Sequence, residues 1–159
     1  KTIDRWDPQR TPRVAWTFQH DTERRPTQIV KLDPSKGWTP AGVRIAIGDR
    51  IWLIPSGQWT IGRKAELCGP DGYPDTARFA HYYGGEAEDP RQTAQAPYGA
   101  MLVRVGDWTE PTAVTNTLAM PAPAVGSLYL DVNEKLDKAW RKDNRGQMTV
   151  KVIVIPFEP

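Results

Sequence analysis

Short runs of alternating apolar residues, separated by glycine and proline turns, are the feature that most limits how this chain can fold. Residues 43–47 (VRIAI) put three aliphatic side chains on one face, and residues 50–55 (RIWLIP) follow a Gly-Asp turn. Residues 147–155 (QMTVKVIVI) alternate in the same way. A period of two is the pattern of a strand with one buried face, and closely spaced turns are typical of all-β proteins. We therefore predict an all-β fold.

Other segments carry weaker strand patterns, and one is helical. Further strands are predicted at residues 14–19, 27–32, 99–106 and 127–132. Ser56 and Gly57 predict a turn that ends the 50–55 strand, which makes residues 43–59 a β-meander. Residues 133–142 predict one short helix, with Asn133 as its N-cap residue and Leu136 and Trp140 one turn apart on the same face.

The length of 159 residues fits one domain. We expect residues 1–37 to form an N-terminal extension or the first strands, and residues 38–159 to form the sandwich. Residues 61–98 form a long irregular stretch, and a loop of that length is either functional or disordered. Residues 109–126 contain three prolines and predict a loop with at most one short strand.

Composition excludes several classes of partner. The 21 basic and 19 acidic residues nearly balance, which argues against nucleic-acid binding. No segment approaches the roughly 20 apolar residues that a membrane span needs. Cys68 is the single cysteine, so neither an intrachain disulfide nor a cysteine-based zinc site can form within one chain, and we expect a buried thiol.

The sequence gives little support for catalysis. The chain has no Ser-His-Asp order, HExxH or CxxC spacing, and His20 and His81 are far apart. The carboxylates of residues 86, 88 and 89 predict a solvated loop better than an acid–base pair. We expect a protein that is not an enzyme, with glycoside hydrolysis as the enzymatic alternative.

Oxygen-bearing side chains cluster near the C-terminus. Asp131 ends one predicted strand, and Asp143, Asn144 and Gly146 begin the next. If the two strands form a hairpin, these side chains meet, and Ca²⁺ takes six to eight oxygen ligands of this type. An Asp-Asn-x-Gly segment is also ordinary turn chemistry, and the basic residues at 141, 142 and 145 are unfavourable neighbours for a cation. Both interpretations stay open.

Seven tryptophans are many for this length. Trp52 and Trp59 lie beside apolar strand residues, which favours core packing. Trp38, Trp108 and Trp140 lie in less regular segments, and an exposed aromatic face is a surface on which a sugar ring can stack.

Taken in order, several segments resemble the PA-IL-like (LecA-like) family of calcium-dependent galactose-binding bacterial lectins. They are residues 38–43 (WTPAGV), 48–51 (GDRI), 56–59 (SGQW), 69–72 (GPDG), 99–106 (GAMLVRVG), 130–132 (LDV) and 143–146 (DNRG). The resemblance implies a jelly-roll-like, galactose-binding-like β-sandwich. It also implies a calcium ion at one end of the sandwich that coordinates sugar hydroxyls.

The resemblance assigns a site by position. The implied calcium ligands are the side chains of Asp131, Asp143 and Asn144 and the backbone carbonyls of Thr60 and Ile61. The implied sugar contacts are Asp75, Thr76, Asp131, Val132 and Asp143. Fixed oxygens around a hard cation select the stereochemistry of the hydroxyls that replace its water.

The function that follows is calcium-dependent binding of a galactoside-like carbohydrate. The alternative is a β-sandwich that does not bind sugar and serves an exported bacterial protein as an accessory or protein-interaction domain. A second copy of the chain is also an allowed partner. The resemblance implies a periplasmic or extracellular location, although no signal-peptide pattern is visible.

Overall fold

Strands in two antiparallel sheets form the molecule in the computed structural model, which describes residues 28–62, 65–74, 91–106, 110–115 and 117–157. The strands are β1 (Gln28–Leu32), β2 (Thr39–Ile45), β3 (Arg50–Thr60), β4 (Met101–Val105), β5 (Thr112–Val114), β6 (Leu118–Pro121), β7 (Gly126–Val132) and β8 (Arg145–Ile155). A short helix, α1 (Lys138–Arg141), lies between β7 and β8. One sheet has the order β1-β8-β3-β6 and the other the order β2-β7-β4-β5. The predicted all-β sandwich with one short helix is confirmed.

The core lies between the sheets because each strand turns its apolar positions inward. In β8, Met148, Val150 and Val152 are buried, whereas Lys151 between them is exposed. Leu53 of β3 is fully buried and lies opposite Val152 in the ladder. The alternation seen in the sequence is therefore the alternation of core and solvent faces.

Trp59 joins the end of β3 to two other segments. Its backbone exchanges hydrogen bonds with Cys68 at 3.0 and 2.8 Å, and its indole Nε1 donates to the Gly99 carbonyl at 2.7 Å. Trp59 is fully buried, and Cys68 is buried beside it. Burial raises the pKa of the Cys68 thiol to about 11, so the side chain is a neutral, apolar part of the core.

The connections between strands differ from the prediction in two places. Residues 56–57 are not a turn, because β3 continues through them and pairs with β8 as far as Thr60. The predicted meander is also wrong: β2 pairs with β7 in one sheet, whereas β3 lies in the other. Likewise β7 and β8 lie in different sheets and form no hairpin. A Gly-containing turn predicts a change of direction, but it does not predict which sheet the next strand joins.

The helix is shorter than predicted. It begins at Lys138, and Asp137 is the N-cap residue, with its Oδ1 accepting from the Ala139 amide at 2.8 Å. Asn133 caps no helix, because its side chain is buried and bonded to another segment. Leu136 precedes α1 and is exposed, so it shares no helical face with Trp140.

Other predicted segments have varied outcomes. Residues 28–32, which lie in the predicted N-terminal extension or first strands, form β1, which pairs with β8. Residues 109–126 contain two short strands, β5 and β6. The predicted strand at 14–19 lies outside the described residues. No helix in the described part of the chain is long and apolar enough to cross a membrane.

Replacing Trp59 tests how much its contacts with Cys68 and Gly99 stabilise the fold. We expect Trp59→Ala to lower the free energy of unfolding by about 3 to 5 kcal/mol, because it leaves a large cavity and removes the indole hydrogen bond to the Gly99 carbonyl. Ile47→Ala is the control, since Ile47 is 70% exposed, and it should change stability by less than about 0.5 kcal/mol. Urea unfolding followed by circular dichroism measures both variants. An equal loss of stability in the two variants would contradict the assignment of Trp59 to the core.

Candidate functional site

Three segments meet at one end of the sandwich, which we call the loop end: residues 65–74, 91–100 and 133–144. The Tyr73 amide donates to the Tyr98 carbonyl at 2.8 Å, which joins the first segment to the second. The Asn133 amide donates to the Ala100 carbonyl at 2.8 Å, which joins the second segment to the third. Backbone hydrogen bonds therefore hold the predicted site region together.

The Gly-Pro-Asp-Gly turn is fixed by close backbone packing. Gly72 has φ +78°, and a Cβ at this position would collide with the Tyr98 carbonyl and the Ala100 amide. Glycine is the residue that fits such a conformation and such a close approach. The buried Tyr73 hydroxyl donates to the Glu66 carbonyl at 2.5 Å, and burial raises the pKa of this phenol, which stays a neutral donor.

Asn133 fixes the conformation of the 91–97 segment. Its Nδ2 donates to the carbonyls of Thr93, Ala96 and Pro97 at 3.1, 2.9 and 2.9 Å. Its Oδ1 accepts from the amides of Gln92 and Thr93 at 2.9 and 3.1 Å. One fully buried side chain thus makes five hydrogen bonds to backbone groups of residues 92–97.

A buried ion pair lies beside Asn133. Asp131 Oδ1 accepts from Arg141 Nη1 at 2.7 Å, and Oδ2 accepts from Nη2 at 3.0 Å. Oδ1 also accepts from the Val132 amide at 2.8 Å, and Oδ2 from Gln92 Nε2 at 2.7 Å. A carboxylate has about four lone-pair positions, so these donors saturate Asp131.

Arg141 reaches Asp131 because α1 places it at the last helical position, and its guanidinium is enclosed by the connection from β7. Nε donates to the Lys135 carbonyl at 3.0 Å, and Nη2 donates to the Glu134 carbonyl at 2.6 Å. Arg141 and Asp131 are each 2% exposed. Burial raises the pKa of the Asp131 carboxyl, and the hydrogen bonds and charge of Arg141 act in the opposite direction.

A second polar contact crosses the same connection. Asn144 Nδ2 donates to the Pro34 carbonyl at 3.0 Å and also to Glu134 Oε2. Asn144 Oδ1 is buried and has no hydrogen-bond partner among the described residues. The side chain of Glu134 is fully buried. Asn144 therefore ties the start of β8 to the segment that follows β7.

The other predicted site residues lie around this network. Thr60 is buried, and its Oγ1 accepts from the Arg145 amide at 3.2 Å, which brings the end of β3 next to the start of β8. Ile61 and Val132 are buried, whereas Asp143 is half-buried. Asp75 and Thr76 lie outside the described residues.

The tryptophans divide between core and surface. Trp59 is in the core, and Trp52 is half-buried. Trp38 donates from Nε1 to Gln92 Oε1 at 3.0 Å, and the Arg104 guanidinium lies 4.4 Å from its ring centroid. One face of Trp38 is thus covered by a cation. Trp140 is half-buried, with Lys135 Nζ 5.7 Å from its ring centroid, and Trp108 lies outside the described residues.

Asp131, as the structure places it, does not fit the role of a calcium ligand. Asp131, the acidic ligand that the resemblance implies at the end of β7, has both oxygens bound to a guanidinium, and a cation beside Arg141 would be repelled. No group of three or more His, Cys, Asp or Glu side chains within the described ranges could hold a metal ion. Calcium binding itself stays a prediction.

Comparisons with known proteins point to one class. No family model matches the chain, and no curated protein matches it. A solved structure described as the EclA N-terminal domain, a PllA-like lectin, is 26% identical, with a TM-score of 0.57. The match covers 80% of this chain and 95% of that one. The chain has a lectin-like fold. The comparison supports this relationship without assigning the chain specifically to the LecA-like family.

Sequence reasoning missed several residues that organise the loop end. Gln92 lies in the irregular 61–98 stretch, and nothing in the local pattern points to its contact with Asp131. Asn133 and Glu134 were predicted as helix residues. The basic residue at 141 was noted only as an unfavourable neighbour for a cation, although a charge ten residues after a buried aspartate is a candidate partner for it.

Replacing Asn133 tests how the 91–97 segment is held. We expect Asn133→Ala to lower the free energy of unfolding by at least about 2 kcal/mol, because it removes the five hydrogen bonds that this buried side chain makes to the backbone. It should also make this segment more sensitive to limited proteolysis. Gln95→Ala is the matched control, since Gln95 is exposed in the same segment. Wild-type protease resistance in Asn133→Ala would contradict this role.

Proposed function

We propose that this chain is a carbohydrate-binding, lectin-like protein or module. The observation that carries the proposal is the match to a lectin domain over nearly the whole of that domain. Fold alone does not determine function, so the proposal also needs a suitable surface on this chain.

A cavity at the loop end supports such a surface. It has a volume of about 430 Å³, within the usual range for small-molecule sites. Its lining residues are Pro70, Asp71, Gly72, Pro74, Pro97, Ala100, Ala113 and Thr115. Proline and alanine carbons offer apolar contact, and the Asp71 carboxylate and Thr115 hydroxyl offer hydrogen bonds. That combination suits a sugar ring, which has apolar C–H faces and hydroxyl edges.

The fixed backbone around the cavity favours binding. Gly72 packs closely against the Tyr98 carbonyl, and Asn133 binds the carbonyls of Thr93, Ala96 and Pro97. A ligand that enters a preorganised site does not have to order the loops that surround it, which reduces the entropic cost of binding. Asp75 and Thr76, which follow the cavity residue Pro74 in the sequence, remain proposed sugar contacts.

The proposal of carbohydrate binding can be tested separately from the hypotheses on sugar preference, calcium dependence and location. The resemblance implies galactoside preference, calcium dependence and a periplasmic or extracellular location. Its implied calcium ligands are Asp131, Asp143, Asn144 and the carbonyls of Thr60 and Ile61. Carbohydrate binding at the cavity requires none of these three properties. Galactoside preference and calcium dependence are tested by the choice of glycan and by adding a chelator.

One observation favours a second candidate, a β-sandwich that binds a protein and not a sugar. Arg141 saturates Asp131, one of the two residues that the resemblance implies would contact both calcium and sugar. A folded chain that binds no glycan but captures a defined protein partner would favour this candidate.

A glycan array followed by isothermal titration tests the proposal. We expect saturable binding of a galactoside-containing glycan, and Asp71→Ala should weaken it at least about tenfold, or 1.4 kcal/mol. Glu110→Ala is the control, because Glu110 is exposed and is not one of the residues that line the cavity. Absence of glycan binding by the folded chain, or equal weakening in both variants, would contradict the proposed site.

A further inference from the structure

We propose that the Arg141 guanidinium takes the place of the cation that the resemblance implies, so that the loop end is organised without a metal ion. This inference concerns how the site is built, and it goes beyond the proposed carbohydrate binding. Its basis is the set of oxygen atoms that converge on one buried side chain.

The oxygens around Arg141 resemble the ligands of a hard cation. Both carboxylate oxygens of Asp131 accept from the guanidinium, as do the backbone carbonyls of Glu134 and Lys135 at 2.6 and 3.0 Å. The Val132 carbonyl lies 3.5 Å from Nη2. Carboxylate and carbonyl oxygens are the groups that surround Ca²⁺ in proteins. Here a monovalent organic cation gathers them from residues 131–135.

The guanidinium cannot easily give way to a metal ion. Displacing it would leave a buried charge and break a bidentate pair, a strongly destabilising change. Calcium would also need Asp131 oxygens whose lone pairs already accept from Arg141, Gln92 and Val132.

A consequence for ligand binding follows. Without a metal ion, sugar hydroxyls cannot be coordinated by calcium beside Asp131. Recognition then depends on direct hydrogen bonds and apolar contact, as the groups around the cavity allow. Glycan binding would therefore be unchanged in a chelator.

The decisive experiment is calcium titration of the wild-type chain, by isothermal calorimetry and by thermal melting in EDTA and in millimolar calcium. A calcium ion at 100 times its Kd would raise the Tm by about 5 to 10 °C for a chain of this size. We expect no saturable binding and a Tm change below about 1 °C. Saturable calcium binding with a raised Tm would overturn the inference.

A pair of variants tests the role of the guanidinium directly. Arg141→Ala should lower the Tm and should gain a Tm increase with calcium, because the Asp131 oxygens become available. Lys142→Ala, which removes an exposed charge from the next position, should show neither effect. Arg141→Ala with a wild-type Tm and no calcium response would contradict the inference. If Arg141→Ala does not fold, the wild-type titration alone decides.

Glycan binding, measured in parallel, separates this inference from the proposed function. Binding that persists in EDTA supports both. Binding that requires calcium overturns the inference and keeps carbohydrate recognition. A chain that binds neither calcium nor glycan keeps the inference and overturns the proposed function.

Discussion

The ion pair between Asp131 and Arg141 holds the connection between the two sheets. β7 belongs to one sheet and β8 to the other, so residues 133–144 must cross from sheet to sheet at the loop end. Arg141 lies in the helix within this connection, and its guanidinium donates to Asp131 near the end of β7. The ion pair thus links the two ends of this connection. Asn144, at its far end, donates hydrogen bonds to Glu134 and to the Pro34 carbonyl.

The same pair connects the interior to the surface of the second sheet. Gln92 donates to Asp131 and accepts from the Trp38 indole, and Trp38 stacks with Arg104. A buried pair of this kind contributes little net stability when compared with apolar residues, but loss of one partner leaves an uncompensated charge. We infer that its main effect is to select one conformation of the loop end, which a preorganised binding surface requires.

Sequence patterning predicted the strands well where one face is buried. The alternation in β8 and the aliphatic run in β4 are set by local contacts with the core, so their positions could be read from spacing. The pairing could not be read in the same way. The local sequence does not show that the chain changes sheets at the Gly48–Asp49 turn, or that β3 continues through Ser56 and Gly57. Both features follow from the eleven-residue ladder between β3 and β8, which is a long-range contact.

The candidate site was only partly predictable, for a related reason. Asp131, Asn144 and the end of β3 lie around the loop end. Long side chains decide the chemistry there: the guanidinium of Arg141 reaches an aspartate ten residues away, and Gln92 reaches it from 39 residues away. Such contacts depend on how the connection folds, and the predicted helix at 133–142 would have placed Asn133 and Arg141 differently.

A double-mutant cycle on Asp131 and Arg141 tests the central claim most directly. Asp131→Asn, Arg141→Gln and the double variant would be compared with the wild type by urea unfolding, with the coupling free energy as the result. A saturated, buried, bidentate pair predicts a coupling of at least about 2 kcal/mol, since each single variant leaves one partner unpaired. Losses that add within about 0.5 kcal/mol would show that the two side chains act independently and would contradict the account.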